Sequence, residues 1–185
     1  MVLMPESPRI VVGVTGRIGS GKTAVARHLA ELLGAQYLRY SQILAEWFKV
    51  DPSDKRRLQE VGEAVMSGDG QKQLNQRLVG RIDSARDAVV DGLRHPIDFE
   101  SLRARFGLRF FLVFVDTPAE IRYERLRKRF DTYASFRDAD LRTVESNIDS
   151  LRADAATVLP GTMATNELTG SLQRLVGEFR QRIVA

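Results

Sequence analysis

The chain has 185 residues, 43% of them hydrophobic and 28% charged, with a formal net charge of +4. That length suits one domain with its own core, and the balance excludes a disordered tail or a collagen-like fibre. Cysteine is absent, which removes disulfide scaffolds, cysteine-type zinc clusters and cysteine nucleophiles. The longest apolar run, Phe110 to Val115, is six residues. A bilayer span needs ~20, so this run reads as a buried strand. The first residues lack the basic and apolar regions of a secretory leader, and the cytoplasm is the expected compartment. The 28 basic residues comprise 23 Arg and 5 Lys. A small arginine excess accounts for the pI near 9.7, and with no dense basic patch a nucleic-acid role is not expected.

In chain order, strands alternate with helices, the pattern of an α/β fold with a parallel sheet. Arg9 to Val14 reads as a strand and Lys22 to Leu33 as a helix, with Gly34 placed to cap its C-terminus. A short strand is expected at Ala35 to Arg39, then a helix capped by Ser41 and running to Phe48. Asp51-Pro52-Ser53 opens a helix with a Leu58, Val61 and Val65 stripe, ended by Ser67-Gly68-Asp69-Gly70. A further helix carries Leu74, Leu78 and Ile82. Ala88 to Asp91 is a third strand, Pro96 to Gly107 bounds a helix, and Phe110 to Val115 is a central fourth strand. Thr117-Pro118-Ala119-Glu120 has the form of a helix start with Thr117 as N-cap. The stretch Arg122 to Arg142 holds seven basic and four acidic residues, and a polar helix is expected on to Ala155. Thr162 to Thr165 reads as a weak edge strand, and the final helix carries Leu172, Leu175, Val176, Phe179 and Ile183.

Gly16-Arg17-Ile18-Gly19-Ser20-Gly21-Lys22-Thr23 matches the phosphate-loop pattern G-x-x-x-x-G-K-[ST], between an apolar strand and an amphipathic helix. Glycines let backbone N–H groups converge on phosphate oxygens, and the helix N-terminus adds a favourable dipole. Lys22 is then expected to reach the terminal phosphates, and the Thr23 hydroxyl to ligate Mg²⁺. Val89-Val90-Asp91 is an apolar strand ending in a carboxylate. Asp91 is therefore the candidate to hold the metal through water, with a turn cap before Gly92 as the structural alternative. ATP and Mg²⁺ are the expected cofactors.

Val14 to Thr23 resembles the loop of small P-loop kinases, in particular dephospho-coenzyme A kinases and phage-type deoxynucleoside monophosphate kinases. Asp91-Gly92-Leu93-Arg94 resembles the D-G-x-x-R segment of adenylate-kinase-like enzymes, with the Arg one position early. Glu124-Arg125-Leu126-Arg127-Lys128-Arg129 resembles their E-R-x-x-x-R lid entrance, and Asn166 with Gly170-Ser171-Leu172 a late N-x-G-S-L element. The resemblance spans about the whole chain. It implies one P-loop kinase domain over residues 1–185, with a five-stranded parallel sheet in the order 2-3-1-4-5. It also implies a helical acceptor flap near 40–86 and a lid near 129–142. Arg125 and Arg129, four apart on one helix face, are implied to clamp the transferring phosphoryl group. Arg137 is a further lid candidate. The lid, with few large apolar residues, is expected to be mobile and to close over bound phosphates.

Two departures stand out. Tyr40-Ser41-Gln42-Ile43-Leu44-Ala45-Glu46 lacks the arginine with which adenylate kinases grip the acceptor phosphate. Arg56, Arg57 or Arg94 are the available substitutes, and Tyr40, Ser41 and Arg94 are the candidate substrate contacts. The Asp-rich and P-L-L-F-E segments usual in dephospho-coenzyme A kinases are absent as well. Trp47 and Tyr40 are candidates to stack on an acceptor base, with helix packing as the alternative for Trp47. His28 and His95 read as structural. The leading expectation is a kinase of a small phosphorylated acceptor, a nucleoside or deoxynucleoside monophosphate. A dephospho-coenzyme A kinase and a regulatory P-loop ATPase with no small acceptor are the alternatives.

Overall fold

The computed structural model describes residues 9–66, 69–141 and 143–184. Its strands are β1 (Val11–Thr15), β2 (Gln36–Arg39), β3 (Ala88–Leu93), β4 (Phe110–Asp116) and β5 (Thr157–Pro160). Its helices are α1 (Lys22–Leu33), α2 (Tyr40–Phe48), α3 (Lys55–Val65), α4 (Gly70–Val79), α5 (Pro96–Phe106), α6 (Ala119–Leu126), α7 (Tyr133–Asp140), α8 (Thr143–Ser150) and α9 (Thr165–Val184). The five strands form one parallel sheet in the expected order, β2-β3-β1-β4-β5.

Period-two alternation along the strands divides the core into two layers. In β4, Phe110 and Leu112 pack with Leu44, Leu74, Leu78 and Leu102 on one face of the sheet. Phe111, Val113 and Val115 pack on the other with Val25 and Leu29 of α1 and Leu172 and Phe179 of α9. Phe111 and Phe179 stack with ring centroids 4.0 Å apart. Each fully buried aliphatic or phenyl side chain is worth about 1.5–3 kcal/mol, so both layers are strong determinants of the fold.

Several element ends differ from expectation, each for a local reason. α2 begins at Tyr40, inside which Ser41 sits, and no side chain caps it. Asp51 accepts from Ser53 in a turn, and Asp54 is the residue that caps α3, through the Arg57 N–H at 2.9 Å. Thr117 does not cap α6; its hydroxyl donates instead to the Ser20 carbonyl at 2.8 Å, and Pro118 takes the N-cap position. The edge strand lies at Thr157–Pro160 rather than 162–165, because Leu159 is the residue that reaches the core and Gly161 N–H bonds back to Asp116. The long polar helix is two helices, α7 and α8. Ser67 and Gly68 lie outside the described residues.

The lid segment is better anchored than its composition implied. Phe136 is wholly buried and packs with Tyr123, Phe130 and Tyr133 in an aromatic cluster joining α6 to α7. Asp140, at the end of α7, is buried against Arg122 of α6. Among the described residues, no helix is long and apolar enough to cross a membrane.

Candidate functional site

The loop Gly16–Thr23 runs from the C-terminal edge of β1 into α1, whose N-cap is Gly21. One of its carbonyls is bonded within the loop and three are taken up from outside. Arg17 O accepts from the Ser20 N–H, Ile18 O from Arg122 Nη1, and Gly19 O from Arg125 Nη1. Ser20 O accepts from both Thr117 and Arg125. With the oxygens turned out, the first-turn N–H groups of α1, which have no carbonyl one turn back, present positive dipole to the sheet edge. Gly16 is required sterically: a Cβ there would lie 2.5 Å from the Val115 carbonyl oxygen. The side chain of Arg17, the second residue of the phosphate-loop motif, is tied to Asp149 at 2.9 Å and to the Asp140 carbonyl at 2.8 Å.

One strand over, β3 brings Asp91 beside the loop. Strand alternation puts Asp91 on the same face as Val89, the α1 side of the sheet, and the β1–β3 register shifts just beyond it, where Gly92 has φ 92°. Asp91 is 2% exposed. Its Oδ2 accepts from the Thr23 hydroxyl at 2.8 Å and the Tyr37 hydroxyl at 2.8 Å, with Arg39 Nε at 3.3 Å. Its Oδ1 is buried with no hydrogen-bond partner among the described residues. Burial, and then the bond to Asp91, push the Tyr37 hydroxyl up to about 12, so it stays a donor across the physiological range. Since Thr23 gives its proton to Asp91, the lone pairs of its oxygen remain for a cation. This donor set fits a hydrated Mg²⁺, which asks for one or two protein oxygens and keeps its waters. Among the described residues, no group of three or more His, Cys, Asp or Glu side chains could hold a metal by itself. The turn-cap alternative for Asp91 finds no support in these contacts.

From Lys22, Thr23 and Asp91 a cavity of about 410 Å³ extends under α2, α3 and α4. Arg39, Arg94 and Arg129 line it, together with apolar residues that include Leu44, Leu58 and Leu74. Ser41 and Tyr40 also line it, but the Tyr40 hydroxyl is spent on Asn75 Oδ1 at 2.5 Å. The cavity floor is organised by Asp98, 1% exposed. Asp98 Oδ1 accepts from Gln71 at 2.6 Å and Asn75 at 2.9 Å, and Oδ2 from the backbone N–H groups of Arg94 at 2.9 Å and His95 at 3.0 Å. Burial pushes its carboxyl above the usual range, against the opposing pull of these four donors. One carboxylate thus joins α4 to the start of α5 and fixes the turn that carries Arg94.

The structure separates several residues that the sequence grouped. Arg129 lies beyond the end of α6 and lines the cavity, whereas Arg125 is within α6 and grips Gly19, Ser20 and Gly161 carbonyls from outside the loop. The two do not share a helix face. Arg137 is half-buried in α7 and does not line the cavity. Arg56 and Arg57 pair with Glu60 on the exposed side of α3, so neither substitutes for the absent acceptor arginine. Trp47 takes the packing alternative, its ring 4.5 Å from the Arg77 guanidinium carbon. The histidines are structural: His95 Nδ1 accepts from the Ile97 N–H at the start of α5, and His28 meets Thr169 of α9 at 2.9 Å.

Sequence reasoning missed Arg39, Tyr37, Asp98 and Arg122. Arg39 carried a usable signal, as the last residue of a parallel strand, where ligands collect at the carboxyl edge of the sheet. Arg122 carried none. It is 4% exposed, donates to Thr117 O and Ile18 O, and forks onto both oxygens of Asp140 at 2.5 and 2.9 Å. It therefore ties the phosphate loop, α6 and α7 into one unit.

Comparison with known proteins matches residues 12–146 to the model of an AAA domain family. A UPF0200 protein of Aeropyrum pernix is 33% identical over 182 residues, covering 96% of this chain and 94% of its own. Among solved structures, the shikimate kinase of Aquifex aeolicus superposes with TM-score 0.65 at 17% identity, covering 91% of this chain and 96% of that one. A sugar kinase from a Janibacter species gives TM-score 0.61 at 19% identity, covering 92% and 95%. At these identities the structural likeness speaks for the fold alone, a P-loop kinase-like one.

Proposed function

Because the chain belongs to the AAA domain family and shares nearly its whole length with a UPF0200 protein, we propose that it is an ATP- and Mg²⁺-dependent phosphotransferase acting on a small phosphorylated acceptor, a nucleoside or deoxynucleoside monophosphate. The observation that carries this reading is the continuity of one cavity from Lys22, Thr23 and Asp91 to three guanidinium groups, Arg39, Arg94 and Arg129. Planar guanidinium forks suit phosphate oxygens, and the leucines of the lining suit a flat base. α2, α3 and α4 then form the acceptor flap, and residues 129–142 the lid.

Phosphoryl transfer is catalysed by positioning and charge neutralisation rather than by a protein nucleophile. The loop N–H groups and Lys22 hold the donor phosphates; Thr23 and Asp91 would hold a hydrated Mg²⁺, which would supply charge neutralisation at those phosphates. Arg129 meets the charge that develops on the transferring group. Arg94 and Arg39 orient the acceptor, whose phosphate is already a nucleophile, so no general base is needed. Arg125 and Arg122 act through the loop, by keeping its carbonyls turned away from the phosphates.

A coupled assay of ADP release against a panel of nucleoside and deoxynucleoside monophosphates, dephospho-coenzyme A, shikimate and gluconate tests the reading. Strong stimulation by a monophosphate supports it. Stimulation by an alcohol alone would move the assignment to a hydroxyl kinase with Asp91 as base, and slow hydrolysis that no acceptor stimulates would favour a regulatory ATPase.

A further inference from the structure

Arg39 has two calls on its charge. β2 and β3 place it directly opposite Asp91 in the parallel register, and its Nε lies 3.3 Å from Asp91 Oδ2. It is nevertheless 33% exposed and lines the cavity that also holds Ser41, Arg94 and Arg129. Asp91 does not need Arg39 in order to be held in place. Thr23 and Tyr37 already fix the same oxygen, and Tyr37 is itself braced by Arg27, whose guanidinium carbon lies 5.6 Å from the ring centroid. What Asp91 does need, at 2% exposure, is a positive charge, because a buried carboxylate without one carries a large desolvation cost.

We propose that Arg39 stands in for the divalent cation at Asp91 in the free protein and is released to the acceptor's phosphate when the metal–nucleotide binds. This inference rests on the phosphotransferase reading and answers which arginine serves where the acceptor arginine of adenylate kinases is absent. Two cations cannot both be matched by one carboxylate. Arrival of the metal beside Asp91 repels the guanidinium, and the cavity is the direction in which its side chain has room. A guanidinium released there is free to pair with an anionic acceptor, so nucleotide binding prepares the acceptor subsite, and by linkage the acceptor strengthens metal–nucleotide binding. Tyr37 is a positioning residue in this scheme, since it keeps Asp91 oriented after Arg39 has left.

The test uses the intact protein and measures ADP affinity by calorimetry, with Mg²⁺ and with EDTA, at constant ionic strength. The quantity read is the factor by which Mg²⁺ tightens ADP binding. In Arg39→Gln the metal no longer competes with a guanidinium, and this factor should rise by about fivefold or more over wild type. Arg39→Lys, which retains the charge, should stay near wild type. A factor that is unchanged or smaller in Arg39→Gln would overturn the proposal, because a residue that merely held Asp91 would weaken metal binding on removal. A crystal structure of the wild-type protein with MgADP and inorganic phosphate gives a second reading independent of any variant. Arg39 should sit on the phosphate, more than about 4 Å from Asp91; a guanidinium still paired with Asp91 would equally overturn the proposal. These outcomes are separate from the acceptor panel, whose failure would remove the kinase assignment while leaving the metal competition at Asp91 to stand or fall on its own.

Discussion

A buried carboxylate that collects three donors on one oxygen and none on the other is a costly arrangement unless the second oxygen is used. Asp91 is such a group: its Oδ1 has no partner among the described residues, while its Oδ2 holds the loop threonine hydroxyl, whose lone pairs are left open. Asp91→Asn should therefore lower turnover about ten- to a hundredfold and raise the Mg²⁺ concentration at half-saturation, because the amide puts a donor where the hydrated cation needs an acceptor. Steady-state rates across a Mg²⁺ series check this; an unaltered Mg²⁺ dependence would remove the metal role. Lys22→Ala should cost about 10²–10³ in turnover with circular dichroism unchanged, since its ammonium meets charge that develops during transfer. A near-normal rate in that variant would sink the phosphate-loop assignment.

At the scale of elements, the stretch between α6 and α8 is held by charge and aromatic packing together. Arg122 and Asp140 form a buried bidentate pair, and Arg17 joins Asp140 to Asp149. Burial pushes the Asp140 carboxyl up, but the Arg122 and Arg17 bonds outweigh it and leave the group below the ordinary range. The Arg17 bond also holds Asp149 below that range, against a smaller opposing effect of burial. Both folded values lie under the unfolded ones. Their contribution to stability is thus fully present above about pH 4, the ordinary carboxylate value, and is lost as pH falls through the lowered values. Asp140→Asn, which leaves Arg122 buried and half-paired, should cost about 3 kcal/mol in urea unfolding at pH 7. The variant should also lose less additional stability than wild type between pH 5 and the acid limit, about 2. If acid and urea transitions of the two proteins coincide, the pair is not holding α7. Through Arg17 and Arg122 the α7 segment is tied to both α6 and the phosphate loop.

For the molecule as a whole, the parallel sheet sets the frame. Order β2-β3-β1-β4-β5 puts β1 between β3 and β4, so the phosphate loop, Asp91 and Thr117 emerge side by side at one edge. The helices between β2 and β3 cover the same edge from the Asp91 side, and their core residues Leu44, Leu58 and Leu74 reach both the sheet and the cavity. Nucleotide bound at the phosphate loop, as proposed, should stabilise the whole fold. MgADP at a hundredfold excess over its dissociation constant contributes about 2.7 kcal/mol, which for a chain of this length is a rise in Tm of roughly 5–10 °C. Differential scanning calorimetry with and without MgADP measures it. The rise should be much reduced in Lys22→Ala; an equal rise in both proteins would place the nucleotide elsewhere.

The fold and the phosphate loop were legible in the residues because both are local. Apolar runs such as Phe110 to Val115 declare a buried strand, G-x-x-x-x-G-K-T declares a backbone shape, and Lys22 to Leu33 is bounded as expected, with Gly34 in the left-handed region. The sequence alone also singled out Asp91, since ligands of a parallel sheet collect at the carboxyl ends of its strands. Tertiary structure decided the rest. Thr117 has the sequence of a helix cap but spends its hydroxyl on Ser20, 97 positions away, and Arg122 reads as one more surface arginine until Asp140 closes over it. Arg125 and Arg129 are four apart, yet the helix ends between them and sends one to the loop's outer face and the other into the cavity. Arg39 and Asp91 stand 52 residues apart and meet only through strand register. Spacing along the chain fixes which residues share a helix turn or a strand face; which buried carboxylate finds which cation depends on register and on where each helix stops, and those are set by packing across the sheet.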